Sequence, residues 1–251
     1  MLYVKHKLII LLAVALAAWS VVQAQDTEEA RLRQALQAKL PKVGIDSITR
    51  TPFPGIYEVV TGGEIVYTDA KGEFMMGGTL YDLRNTPIRN ITQDTQQKIA
   101  AKTITAAHDN AIKQVRGNGK RVVYTFEDPN CGYCRELYKE LAKMTDVTVY
   151  TFLLPILSPD SSDKARAIWC SRDRAKAWEQ MMTRGALTEA GKSCDTPLEK
   201  NSQIAQKLGI RGTPAIYLAS GQQLGGFVSA QQIEQALGGS GAAGAAANNK
   251  K

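Results

Sequence analysis

Phe126-Glu127-Asp128-Pro129-Asn130-Cys131-Gly132-Tyr133-Cys134 sets two thiols two residues apart. A run rich in β-formers, Arg121 to Phe126, precedes them, and a helical pattern, Arg135 to Met144, follows. A strand, a turn and a helix that opens on Cys-x-x-Cys is a redox arrangement. The start of a helix offers unpaired N–H groups and a partial positive charge, which favour a thiolate and lower its pKa. On this reading Cys131 is the exposed nucleophile, and Cys134, one turn further in, is the resolving thiol. A zinc site is the competing reading of such a pair, but zinc needs four ligands, and Cys170 and Cys194 do not form a second Cys-x-x-Cys. His6 lies in the leading segment, and His108 reads as a solvated helix residue. Haem attachment would need His after Cys134, where Arg135 stands. No carboxylate pair, Ser/His/Asp set or phosphate-binding loop is visible. The reading therefore calls for no metal and no cofactor.

The chain begins with a segment of its own kind. Lys5 and Lys7 form a basic start, Leu8 to Ala18 is wholly apolar, and Val22-Gln23-Ala24 offers small residues before polar Gln25 and Asp26. This reads as a cleaved export signal over residues 1–24. The apolar run from Leu8 to Val22 is short of the roughly 20 residues that span a bilayer. Export places the four cysteines in an oxidising compartment. Of the three pairings that four cysteines allow, the one consistent with the motif joins Cys131 to Cys134 as a redox pair and Cys170 to Cys194 as a structural bridge.

Composition is that of a folded protein, with 44% hydrophobic and 22% charged residues. The formal charge of +7 falls to +5 without Lys5 and Lys7, and the remaining basic residues are scattered. With no Lys/Arg run and no interleaved aromatics, the pattern argues against nucleic-acid binding.

Two modules follow the leading segment. Leu32, Leu36 and Leu40 form an apolar stripe on a helix that Pro41 ends. Ile56 to Val60 and Ile65 to Thr68 flank Thr61-Gly62-Gly63-Glu64, a hairpin signal, and further strands are read at Phe74 to Met76 and Thr79 to Leu83. This α+β module, residues 25–86, is small for a self-sufficient core, a deficit that self-association would repair. Thr92 to Val115 has no Gly or Pro and only sparse apolar positions, so residues 87–119 read as a linker helix. A second module, residues 120–238, runs strand, Cys-x-x-Cys helix, strand, a helical insertion at about 158–208, then Gly212-Thr213-Pro214-Ala215 before a hairpin and a last helix opened by Ser229-Ala230-Gln231-Gln232. Trp169 and Trp178 fall at helical spacing and read as core. Residues 239–251, rich in Gly and Ala, read as a disordered tail.

The strand–CxxC-helix–strand start, the distant Gly-Thr-Pro before a hairpin and the closing helix resemble the thioredoxin superfamily. With the signal peptide, the small first module, the linker helix, Tyr81-Asp82-Leu83, Cys131-Gly132-Tyr133-Cys134 and Ala167-Ile168-Trp169-Cys170, the pattern is similar to the bacterial periplasmic disulfide isomerases of the DsbC type over roughly residues 26 to 238. The related DsbG type usually carries Pro where Gly132 stands. The Gly/Ala-rich tail departs from the family pattern.

The resemblance implies a cystatin-like α+β dimerisation domain, joined by a linker helix to an α/β thioredoxin-fold domain with a helical insertion. It implies a cis Thr213–Pro214 bond beside the redox cysteines, and a substrate groove made by Thr213, Pro214 and Tyr133 in which the Thr213 backbone pairs with an extended peptide. It also implies a periplasmic homodimer that acts on misfolded, disulfide-containing exported proteins, is kept reduced by a membrane thiol reductase of the DsbD type, and has chaperone activity. Asp128 reads chiefly as a turn or capping residue, with tuning of proton movement as the other reading. The rival functions are a thiol oxidase and a dimeric chaperone with secondary redox activity.

Overall fold

A computed structural model describes residues 28–188, 191 and 193–239. The expected signal segment, residues 1–24, and all of the expected tail but its first residue lie outside the described residues. The chain forms two compact units, one extending to Thr79 and the other starting at Leu80. No helix among the described residues is long and apolar enough to cross a membrane.

The first unit packs one helix on a small sheet. Helix α1 (28–39) places Leu32 and Leu36 one turn apart, and both are buried against Ile48, Tyr57 and Val59. Strands β1 (Ser47–Arg50), β2 (Ile56–Thr61), β3 (Glu64–Asp69) and β4 (Met75–Gly77) form an antiparallel sheet in the order β1-β2-β3-β4. Thr61 pairs with Glu64, so Gly62 and Gly63 are the two turn residues. Both have positive φ, which this hairpin turn requires and which glycine adopts without steric cost.

The strand expected at 79–83 does not continue that meander. The chain leaves the sheet after Gly77, and β5 (Tyr81–Asp82) pairs instead with β6 (Arg89–Asn90) in the second unit. Asn90 then caps helix α2 (Ile91–Ala106), its side chain accepting the Gln93 N–H at 2.9 Å. The helix expected as far as Val115 ends at Ala106. A 3-10 turn (His108–Asn110) follows, then strand β7 (Ile112–Arg116), which pairs antiparallel with β9 (Val147–Leu153). Ile112 is buried and Lys113 exposed, a strand-like alternation that the flanking helix formers obscured. Nor is α2 merely a connector, because Ala100 and Ile104 are buried in the core of the second unit.

That unit is built on a five-stranded sheet in the order β11-β10-β8-β9-β7. Strand β8 (Arg121–Glu127) is central and parallel to β9, and helix α3 (Gly132–Ala142) connects the two. Strand β10 (Ala215–Leu218) pairs antiparallel with β8, and β11 (Gln223–Gly225) closes the edge. Alternation along β8 divides the core. Tyr124 and Phe126 join α2, while Val123 packs with Leu137 and Leu141 of α3 and Ile233 of α7 (Ala230–Gly239). The start of α7 is fixed by a reciprocal cap between Ser229 and Gln232.

Between β9 and β10 the chain adds α4 (Pro159–Trp169), α5 (Arg174–Arg184) and α6 (Leu198–Lys207). Ile168, Trp169, Trp178, Met181 and Met182 form an apolar cluster that includes both cysteines of the motif. Cys170, just past α4, is bonded to Cys194 across 24 positions. Closing a loop of this size removes about 3 kcal/mol of unfolded-state entropy. The double substitution Cys170→Ser/Cys194→Ser is therefore expected to lower stability by roughly that amount in urea unfolding, with a steeper denaturant slope because the unfolded chain without the crosslink exposes more surface.

Candidate functional site

The Cys-x-x-Cys pair sits where a parallel strand meets a helix. Strand β8 delivers the chain to Asp128-Pro129-Asn130, and the turn closes with the Cys131 N–H donating to the Asp128 carbonyl at 3.0 Å. Cys131 is the N-cap of α3, and its sulfur accepts the Cys134 N–H at 3.2 Å. The register Ala215↔Phe126 brings Thr213–Pro214 beside this turn. The Thr213–Pro214 bond is cis, and the Cys131 thiol donates to the Thr213 carbonyl at 3.3 Å. Cys131, Cys134, Thr213 and Pro214 are thus gathered at one end of the sheet. Tyr133, between the cysteines, is solvent-exposed, and its ring lies 6.4 Å from that of Phe227.

Cys170 and Cys194 are bonded to each other, which leaves the motif two free thiols. Among the described residues no group of three or more His, Cys, Asp or Glu is placed to hold a metal ion.

The exposed nucleophile read from sequence is corrected by the packing. Cys131 is only 3% exposed, because its sulfur lies against the Thr213 carbonyl and within the cluster that the insertion helices complete. Burial alone would raise a thiol pKa. Hydrogen bonds reverse that for Cys131. The Cys134 thiol is the largest influence and, with the N–H groups of Cys134 and Tyr133, outweighs the opposing burial and lowers the pKa to about 6. Cys134 is pushed strongly upward by burial, by its hydrogen bond to Cys131 and by the charge of Glu127. One thiol is therefore ionised near neutral pH while the other keeps its proton.

Glu127 is a site residue to which the sequence reading gave no role. It ends β8, is 1% exposed, and accepts the Thr125 hydroxyl on Oε1 at 2.7 Å. Its Oε2 has no hydroxyl or N–H partner among the described residues, and the carboxyl interacts with the Cys134 thiol. Burial raises its pKa to about 8, against the lowering influence of the Thr125 hydroxyl. A carboxyl at the end of a central parallel strand is the signal that could have found it, since such strands are buried on both faces. Asp128 is a turn acceptor, taking the Asn130 N–H at 2.7 Å, but it also bonds the Ile156–Leu157 loop and Ser161.

Comparison with known proteins agrees with this geometry. Residues 108–239 match the thioredoxin-like domain family, and residues 23–93 match the disulfide bond isomerase protein N-terminal domain. A probable thiol:disulfide interchange protein DsbC of Bordetella parapertussis is 39% identical over 216 residues, which cover 86% of this chain and 76% of that protein. The thiol:disulfide interchange protein DsbC of Escherichia coli K12 is 30% identical over 209 residues, covering 81% of this chain and 86% of that protein. A crystal structure of a disulfide interchange protein from Neisseria gonorrhoeae is 42% identical and superposes with a TM-score of 0.50, covering 52% of this chain and 94% of that one. With a thiolate-forming Cys131 above a protonated Cys134 on a thioredoxin-type sheet, and both parts of the chain matched, the chain belongs to the DsbC family of thiol:disulfide interchange proteins.

Proposed function

We propose that Cys131 and Cys134 are the catalytic pair of a periplasmic disulfide isomerase that rearranges non-native bonds in exported proteins. The observation that carries this reading is the split between the two thiols, one with a pKa of about 6 and one held protonated. Cys131 thiolate attacks one sulfur of a substrate disulfide. The S–S bond breaks, the other substrate sulfur leaves as thiolate, and a mixed disulfide joins Cys131 to the substrate. The freed thiolate then attacks a second bond in the substrate, the thiolate released there attacks the substrate sulfur of the mixed disulfide, and Cys131 leaves as thiolate with no net change in oxidation state. If the complex persists, Glu127 takes the Cys134 proton and the Cys134 thiolate attacks the sulfur of Cys131. The substrate thiol leaves reduced and the Cys131–Cys134 disulfide remains.

Thr213 and Pro214, with Tyr133, line the groove in which the substrate backbone lies against β10. We assign residues 1–24 to a cleaved export signal, 28–79 to a dimerising module and 80–239 to the catalytic module. Self-association through the first module is supported by β4, an edge strand on which Phe74, Met75 and Met76 are exposed in or next to a row of unpaired backbone groups. A homodimer of this kind would bring two reactive sites to one substrate and could act as a chaperone. A membrane thiol reductase of the DsbD type would return an oxidised pair to thiols.

The competing activity is net oxidation, and the resting state of the pair separates the two. Acid quenching of cells followed by alkylation is expected to find Cys131 and Cys134 largely reduced. A pair found largely oxidised would identify an oxidase and overturn the isomerase reading.

A further inference from the structure

Strand β8 carries a short polar row inside an apolar face. Val123, Thr125 and Glu127 point to one side of the sheet, and the parallel register sets Val149, Thr151 and Leu153 beside them on β9. All six are buried, and neither threonine is more than 1% exposed. Their surroundings are apolar, since Val123 and Val149 pack with Leu137 and Leu141 of α3. A buried hydroxyl is costly unless it is bonded, and valine would supply the same β-branched shape without that cost. Strand propensity therefore does not account for the two hydroxyls.

Their bonds do. Thr125 Oγ1 lies 2.7 Å from Glu127 Oε1 and 3.1 Å from Thr151 Oγ1. A hydroxyl has one hydrogen and two lone pairs. When Glu127 is ionised, Thr125 gives its hydrogen to Oε1, so the bond to Thr151 is made with the Thr151 hydrogen. The chain then runs from Thr151 through Thr125 to Glu127, each bond strengthened by the one behind it. Oε1 is thereby occupied. Oε2, which has no hydroxyl or N–H partner among the described residues, is left for the Cys134 thiol. Burial raises the Glu127 pKa, and the hydroxyls of Thr125 and Thr151 both pull it back down. The ionisable groups that face Glu127 are the Cys131 and Cys134 thiols at the start of α3. Asp128 is turned away to Asn130, Ser161 and the 156–157 loop, and Tyr138 of α3 bonds Gln114 and Arg116. The insertion helices bring uncharged Ile168, Trp178, Met181 and Met182 to the cysteines.

We propose that Thr125 and Thr151 are positioning residues for resolution of the mixed disulfide, their hydroxyl chain holding Glu127 as a carboxylate with Oε2 free for the Cys134 proton. This rests on Glu127 as the base for Cys134 and names what keeps that base ready. No bond is made or broken at either threonine. The Cys134 proton passes to Oε2, the Cys134 thiolate attacks the Cys131 sulfur, and the substrate sulfur leaves with the electron pair of the broken S–S bond.

Infrared titration of the full-length reduced protein tests the chain. The carboxylic-acid band that disappears in E127Q belongs to Glu127, and its wild-type midpoint is expected at about 8. Cys131 ionises at about 6 and is already a thiolate over that range. T125V keeps the side-chain shape without the hydroxyl and is expected to raise the midpoint by about one pH unit or more, because the bond it removes is made to a charged group. T125S, which keeps the hydroxyl, should retain the wild-type midpoint, and T151V should raise it by less than T125V. T125A takes the place of T125V if that variant does not fold. In quenched flow at pH 7, T125V is expected to resolve the mixed disulfide about tenfold more slowly, with the first attack by Cys131 unchanged. An unchanged midpoint in folded T125V, or the same rise in T125S, would overturn the proposal. An unchanged midpoint in T151V would remove Thr151 from the chain. E127Q keeps the two levels apart. Wild-type resolution in E127Q sinks the base reading itself, whereas slow resolution in E127Q with wild-type resolution in T125V sinks only the hydroxyl chain.

Discussion

Cys131→Ser is expected to reduce disulfide exchange by on the order of 10³-fold or more, because the nucleophile itself is removed. The variant should also lose a thiolate absorbance near the ultraviolet edge that titrates in the reduced wild type with a midpoint of about 6. The low value has a defined origin in the Cys134 thiol and the N–H groups at the start of α3, which donate to the ionised sulfur. The linkage sign follows. An unfolded thiol ionises near 9 and the folded one near 6, so the reduced fold gains stability that is full above the unfolded value and is lost as pH falls through 6. Reduced protein should therefore lose stability relative to Cys131→Ser between pH 9 and pH 5 in denaturant titrations. Cys134→Ser behaves differently. It should still make the first attack but hold substrates as mixed disulfides, visible as adducts on non-reducing gels. Equal exchange rates in wild type and Cys131→Ser would remove Cys131 from the mechanism.

Glu127→Gln is the second large effect. The Cys134 proton must leave before that sulfur can attack, and its pKa is driven far above neutrality by burial. The Glu127 carboxyl, with a pKa of about 8, is the group placed to accept the proton near physiological pH. Loss of a positioned base is expected to slow resolution of the mixed disulfide by about 10²-fold or more, with little effect on the first attack. Quenched-flow measurement of the two steps separates these outcomes, and a uniform slowing of both would point to a packing defect. Stability moves in the opposite sense from activity. Folded Glu127 holds its proton to about 8, whereas an unfolded carboxyl loses it near 4.5. Its contribution is full below 4.5 and is lost as pH rises through 8. Reduced Glu127→Gln should thus gain on the wild type from pH 5 to pH 8.5, by a few kcal/mol at most.

The parts of this account that short-range chemistry determines were legible in the sequence. The Cys-x-x-Cys spacing, the β-formers before it and the helix formers after it placed Cys131 at a helix start, where it is the N-cap. Leu32 and Leu36 gave the face of α1, and the two glycines at 62 and 63 gave the hairpin. Helical spacing put Trp169 and Trp178 in the core, where both are buried. What escaped was decided by tertiary contact. Residues 112–116 lie beyond a run of good helix formers, and only pairing with β9 makes them a strand. Cys131 is buried by elements far along the chain, namely Thr213 and the insertion helices. Glu127 and Asp128 look like ordinary polar residues at the end of a strand. The role of one depends on Cys134 above it, and that of the other on a loop about 30 positions away.

Refolding of scrambled ribonuclease tests the isomerase most directly, because the substrate is fully oxidised and only rearrangement of its bonds restores activity. With a small amount of thiol to keep Cys131 reduced, the full-length protein is expected to restore most ribonuclease activity, and Cys131→Ser none above the thiol alone. No recovery with the wild type, in the presence of reduced Cys131, would contradict isomerisation at this site.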